Sequence, residues 1–123
     1  MRVLIVDDNP INLKLASDVL KSSGVEVHQS ESAEEAEAVL TTLKPDLILM
    51  DISLPGTDGL TLTRKLKANA RLGNIPIVAL TASAMKGDDL RAIAAGCDGY
   101  IAKPIDTRKF FEQVSAYVRA DRS

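Results

Sequence analysis

Short, almost continuous apolar runs alternate along this chain with stretches whose apolar residues recur every three or four positions. Val3–Val6 is the first run, and the lack of polar alternation is what a strand covered on both faces requires. Asn9-Pro10 then opens a helix, because proline costs nothing in a first turn where its missing N–H would be unpaired. Ile11, Leu15 and Val19, with Ala16 and Leu20, recur at helical spacing, and Gly24 supplies the stop. Val25–Ser30 alternates apolar with polar, as an edge strand with one wet side does. Ser32 and Glu35 form a capping box. Ala36, Leu40 and Leu43 mark the second helix, which Pro45 ends. Leu47–Met50 is a further buried strand, and after Asp51 a loop containing Pro55-Gly56 leads to a third helix carrying Leu62 and Leu66. Ile77–Leu80 follows Pro76 as the fourth strand, Met85–Ala95 reads as a modest helix, and Tyr100–Ala102 is a short fifth strand. Asp106 is expected to cap a last helix with Phe110, Val114 and Val118 inward, and Phe111 and Tyr117 to one side. Alternation of this kind predicts right-handed crossovers and a parallel sheet.

Bulk properties narrow the class without naming a function. At 123 residues the chain suits one domain spanning 1–123 with a single core. An apolar fraction of 46% and a charged fraction of 26% exclude disorder. Net charge is −2, and no basic stripe interleaved with aromatics is present, so nucleic acid is not an expected partner. The start, M-R-V-L-I-V-D-D, leaves no room for a signal peptide, and no apolar run approaches a membrane span. Cys97 has no second cysteine for a disulfide and reads as a small buried hydrophobe. A cytoplasmic location is the resulting expectation. The chain ends almost where its last helix ends, so no appended output domain is expected.

The chemistry gathers at the ends of the strands. Asp7-Asp8 follows the first strand, Asp51 the third, Thr81 the fourth and Lys103-Pro104 the fifth. Open α/β sheets bind ligands at this carboxyl edge. Any one of these aspartates alone reads as a helix cap or a turn; their joint occurrence at strand ends, with a lysine on another, reads as a site. Like charges crowd there unless a cation neutralises them, and a hard divalent ion such as Mg²⁺ is the natural partner for carboxylate oxygens. Asp7 and Asp8 are expected to hold the metal together with Asp51 and the backbone carbonyl of Ser53. Asp51 is the best nucleophile, since a carboxylate can take a phosphoryl group as an acyl phosphate. Lys103 is placed to neutralise phosphoryl charge, and the peptide before Pro104 is a candidate for the cis form. Thr81 can donate a hydrogen bond to a phosphoryl oxygen. Ser53 and Ser83 are small enough to admit water, which predicts a short phosphoryl lifetime.

The segments D-D, D-I-S-L-P-G-T-D-G, T-A and K-P, in this order, resemble the receiver domain of two-component response regulators over essentially the whole chain. The stretch T-A-S-A-M-K-G-D with G-C-D-G-Y-I-A-K-P-I is similar to single-domain regulators of the DivK type and to receiver modules of hybrid histidine kinases. The resemblance implies a doubly wound, flavodoxin-like (βα)5 fold with strand order 2-1-3-4-5. It implies transfer from a phosphohistidine on a sensor histidine kinase or a histidine phosphotransfer protein to Asp51, with Mg²⁺ required and Mn²⁺ a substitute. It further implies that Thr81 senses the phosphoryl group, that Tyr100 is the aromatic that changes rotamer, and that a face of the fourth helix, fifth strand and fifth helix binds a downstream protein. On this reading the chain is a monomer or weak dimer that catalyses only its own phosphotransfer and dephosphorylation.

Other functions are less well served. An aspartyl-phosphate hydrolase of the haloacid-dehalogenase type expects a second aspartate where Ser53 stands. Nucleotide or flavin binding lacks G-x-G-x-x-G and G-x-x-x-x-G-K-[ST]. A binding module that never accepts phosphate would use the same surface. His28 reads as a solvated strand residue, and Met50, Met85, Phe110 and Phe111 as packing.

Overall fold

The computed structural model describes residues 1–52, 59–81 and 87–122. Five strands, β1 (Arg2–Val6), β2 (Glu26–Ser30), β3 (Leu47–Asp51), β4 (Ile77–Thr81) and β5 (Gly99–Ala102), alternate with α1 (Pro10–Ser22), α2 (Ala33–Leu40), α3 (Gly59–Lys67), α4 (Asp88–Ala95) and α5 (Phe110–Arg122). The strands form one sheet in the order β2-β1-β3-β4-β5, and every pairing is parallel. This is the doubly wound flavodoxin-like arrangement expected from the sequence. Each strand is within a residue of the expected run. The helix expected from Met85, the Pro55-Gly56 loop, Ser53 and Ser83 involve residues outside those described.

The central strands are apolar throughout because both their faces are covered. Period-two alternation sorts them into two layers. Leu4, Val6, Ile48, Met50, Ile77 and Ala79 meet α2, α3 and α4 on one side. Val3, Ile5, Leu47, Leu49, Val78, Leu80 and Ile101 meet α1 and α5 on the other. Phe110, Val114 and Val118 face this second layer as expected. Each buried Leu, Ile or Val contributes about 1.5–3 kcal/mol. The edge strands are wetter: β2 is half exposed, with the His28 ring hydrogen-bonded to the Glu26 carboxylate at its surface, and β5 alternates buried with exposed.

Helix α1 departs from the sequence expectation. Its buried face is Leu13, Ala16, Ser17 and Leu20, whereas Ile11 is 76% and Leu15 41% exposed. The recurring set read from the sequence therefore spans two faces, and Leu13 completes the inward one. The ends behave as the sequence indicates. Asn9 accepts from the amides of Ile11 and Asn12, Pro10 sits in the first turn, and Gly24 takes φ +86° just after the cap. Ser32 caps α2 by accepting from the Glu35 amide, while the Glu35 carboxylate reaches one residue further back, to the Glu31 amide. That helix closes at Leu40, before Leu43.

Cys97 is 5% exposed, and its thiol donates to the Thr63 hydroxyl at 3.8 Å. Burial pushes the thiol's pKa up, against the lowering pull of that hydrogen bond. A folded pKa raised above the unfolded one means ionisation opposes folding, so this contribution is full at neutral pH and is lost as pH rises through the folded value. At pH 8, alkylation of native protein by iodoacetamide is expected to be about tenfold or more slower than in denaturant. Comparable rates in the two states, followed by mass spectrometry, would contradict this.

Candidate functional site

Parallel register brings the strand ends together. Val6 lies opposite Met50, so Asp7, one step on, comes level with Asp51; Thr81 lies opposite Ala102, with Lys103 one step on. The ladder continues past the last strand residue, for the Lys103 amide donates to the Thr81 carbonyl at 2.8 Å. Alternation also assigns faces. Asp51 continues the series of Leu47 and Leu49, toward α1 and α5, and Lys103 that of Ile101. Thr81 continues Ile77 and Ala79, toward α3 and α4, and Tyr100 sits opposite Ala79.

Asp7 is 1% exposed and hydrogen-bonded at both carboxylate oxygens. Its Oδ1 accepts from the Asn9 amide at 2.9 Å, and its Oδ2 from Lys103 Nζ at 2.9 Å. Asn9 in turn caps α1, so D-D-N-P forms one bonded unit from strand end to helix start. Lys103 Nζ also lies 3.6 Å from Asp51 Oδ2, and Asp51 is buried. Asp8 is exposed, yet it, Asp7 and Asp51 each offer a carboxylate oxygen, all within 4.8 Å of one another. Two ionised groups at that spacing repel by roughly 3 kcal/mol at an effective dielectric constant of 20. Lys103 opposes only part of this. Three oxygen donors converging in this way fit a hard divalent cation such as Mg²⁺.

Thr81 and Tyr100 lie on the two strands beyond β3. Thr81 is 1% exposed at the end of β4, and Tyr100 is 42% exposed on β5. The Lys103–Pro104 peptide is cis. One residue that sequence reasoning missed is Gly59, the first of α3. A β-carbon there would lie 2.3 Å from the Asp51 carbonyl oxygen and 2.8 Å from Ile52 Cα. The start of α3 therefore rests directly on the backbone of the buried acid, an approach open only to glycine. Its one cue in the sequence is its place at the end of the D-I-S-L-P-G-T-D-G segment, which assigns it no role.

A flavodoxin-like sheet whose carboxyl edge carries a carboxylate trio, a lysine and a hydroxyl has the donor set that could hold a divalent cation. Residues 3–115 match the family model for the response regulator receiver domain. The polar-differentiation response regulator DivK of Brucella ovis is 45% identical over 116 residues, 94% of each chain. A two-component response regulator from Clostridium difficile superposes with a TM-score of 0.90 at 28% identity, covering 100% of this chain and 99% of that one. The receiver domain of a Pseudomonas aeruginosa sensor histidine kinase, solved with magnesium in its active-site cleft, gives 0.88 at 32% identity over 96% and 97%. The chain belongs to the response regulator receiver family of two-component signalling.

Gly59→Ala should cost about 1–3 kcal/mol, because backbone atoms rather than a flexible side chain must give way. Urea unfolding of the two proteins measures it; equal midpoints and slopes would show that α3 can retreat freely.

Proposed function

We propose that the domain accepts a phosphoryl group on Asp51 from a phosphohistidine of a sensor histidine kinase or a histidine phosphotransfer protein. The observation that carries this reading is the convergence of Asp7, Asp8, Asp51 and Lys103 at one edge. Asp7, Asp8 and Asp51 would hold Mg²⁺, or Mn²⁺ in its place, and the Ser53 carbonyl is a further candidate ligand outside the described residues. When bound, the ion offsets the charge of the three carboxylates and of the incoming group.

The chain's own groups then have separable tasks. A carboxylate oxygen of Asp51 attacks phosphorus as the bond to the donor imidazole nitrogen breaks, and that nitrogen keeps the electron pair and takes up a proton. Lys103 can turn from Asp7 and Asp51 toward the new phosphoryl oxygens, its ammonium already within 3.6 Å of Asp51. Asn9, bonded to Asp7, holds that acid in place. The chemistry is confined to self-phosphorylation and self-dephosphorylation, and a cytoplasmic, monomeric or weakly dimeric domain suits it. Ile11 and Leu15, exposed on α1 beside the site, offer apolar contact for a donor. Leu90, Ile93 and Tyr100, exposed on α4 and β5, offer it for a downstream protein. Thr81 and Tyr100 share the face toward α4, so a hydroxyl drawn to the phosphoryl group leaves space that the ring can enter.

Incubation with acetyl phosphate and Mg²⁺ should add one phosphoryl group by intact mass, absent in Asp51→Ala and after chelation. Steady turnover of assorted phosphate esters would instead favour a hydrolase. Thr81→Ala should keep the adduct yet abolish the response of Tyr100. The chain has no Trp and only two Tyr, so tyrosine emission of a Tyr117→Phe background reports on Tyr100 alone. A full emission change in Thr81→Ala would remove Thr81 from the switch.

A further inference from the structure

At the end of the sheet opposite the acidic site, α3, the α4–β5 turn and the start of β4 are tied together. Lys67, the last residue of α3, donates from Nζ to the Ile75 carbonyl at 3.0 Å and to Asp98 Oδ2 at 2.8 Å. The same Asp98 oxygen accepts from the Ile77 amide at 2.8 Å, and the Asp98 amide donates to the Ile77 carbonyl at 2.7 Å. Asp98 thus extends the β4–β5 ladder by one residue while holding a cation from α3. The Lys67 stem lies against Gly96, where a β-carbon would come 3.1 Å from Lys67 Cγ. Gly96 closes α4 at φ +110°, with its amide and that of Cys97 bonded back to Ile93 and Ala92. The thiol of Cys97 adds a link to Thr63 on α3.

The other end of α4 is held differently. Gly87, at φ +88°, has no side chain with which to cap the helix, and a β-carbon there would meet nothing within 4 Å. It is this end that follows β4 and Thr81 in sequence. Helix α4 is therefore gripped at its C-terminal end, while Gly87 at its other end supplies no side-chain cap.

We propose that Lys67 and Asp98 are positioning residues forming a clasp that fixes the C-terminal end of α4, so that the switch swings the helix about that end. This rests on the reading that phosphorylation of Asp51 reshapes the α4–β5 face. A fixed pivot confines the displacement to Gly87–Leu90 and to the exposed surface, and keeps β5 in register.

Amide hydrogen exchange and ¹⁵N-resolved NMR of the whole chain test the clasp in two arms. Lys67→Met retains the stem over Gly96 and removes the charge, and Asp98→Asn retains an oxygen for the Ile77 amide. Without phosphorylation, protection of the Gly96 and Cys97 amides should fall at least about tenfold in Lys67→Met while amides of β1 and β3 stay unchanged. Unaltered protection in both variants would overturn the clasp. After acetyl phosphate and Mg²⁺, wild-type shifts should be large from Gly87 to Leu90 and small at Cys97 and Asp98, spreading to those two residues in Lys67→Met. Equal shifts at both ends of α4 in the wild type would also overturn it. Intact mass is recorded throughout: failure to form an adduct would sink the phosphoacceptor reading, leaving the exchange arm to decide the clasp.

Discussion

Two carboxylates buried side by side, with one ammonium between them, are the constraint around which this domain is arranged. Asp7 and Asp51 lie almost out of water, where ionised groups are costly unless paired and hydrogen-bonded. They cannot move apart, because β1 and β3 are locked in register by backbone hydrogen bonds. The strain is therefore met locally. Lys103 reaches both acids, Asn9 bonds the second oxygen of Asp7, and Asp8 adds an exposed carboxylate beside them. A pair held in this way is responsive, since any added charge on Asp51 must redistribute the contacts of Lys103.

The scaffold makes that arrangement rigid. Three central strands with no exposed apolar residue place Asp7, Asp51 and Thr81 at the last step of a buried ladder, where side chains have little freedom. Gly59 adds a second control, because α3 can lie on the Asp51 backbone only without a β-carbon. One helix thus touches the site with its first residue and the α4–β5 turn with its last. The acid and the C-terminal end of α4 share a support.

How much of this was legible beforehand depended on the range of the interaction involved. Strands buried on both faces announce themselves as runs such as L-I-L-M, and their ends locate Asp7, Asp51, Thr81 and Lys103, so the fold and the acidic edge could be read directly. Caps were legible for the same local reason: Asn9, Ser32 and Gly24 act within a few residues of themselves. Helix α1 was harder, because Ile11, Leu13, Leu15 and Val19 offer apolar residues on more than one face, and spacing alone does not say which one the sheet covers. Gly59 against Asp51 and Lys67 with Asp98 were not legible at all. Neither spacing nor composition marks a glycine that must admit a carbonyl, or an ion pair formed across 31 positions.

For the proposed phosphoacceptor role, strand alternation gives acceptance and response separate places within the domain. Asp51 and Lys103 belong to the series facing α1 and α5, while Thr81 and Tyr100 belong to the series facing α4. Chemistry on the acid is therefore not in itself a change on the α4 face; something at the edge must cross between the two series. Thr81 is suited to that crossing, being buried, hydroxylated and bonded through its carbonyl to the amide of Lys103. A group that pulls Lys103 in one direction and the Thr81 hydroxyl in another acts on adjacent residues of one ladder. The sheet's pleat keeps the two faces distinct, and its carboxyl edge is where they meet.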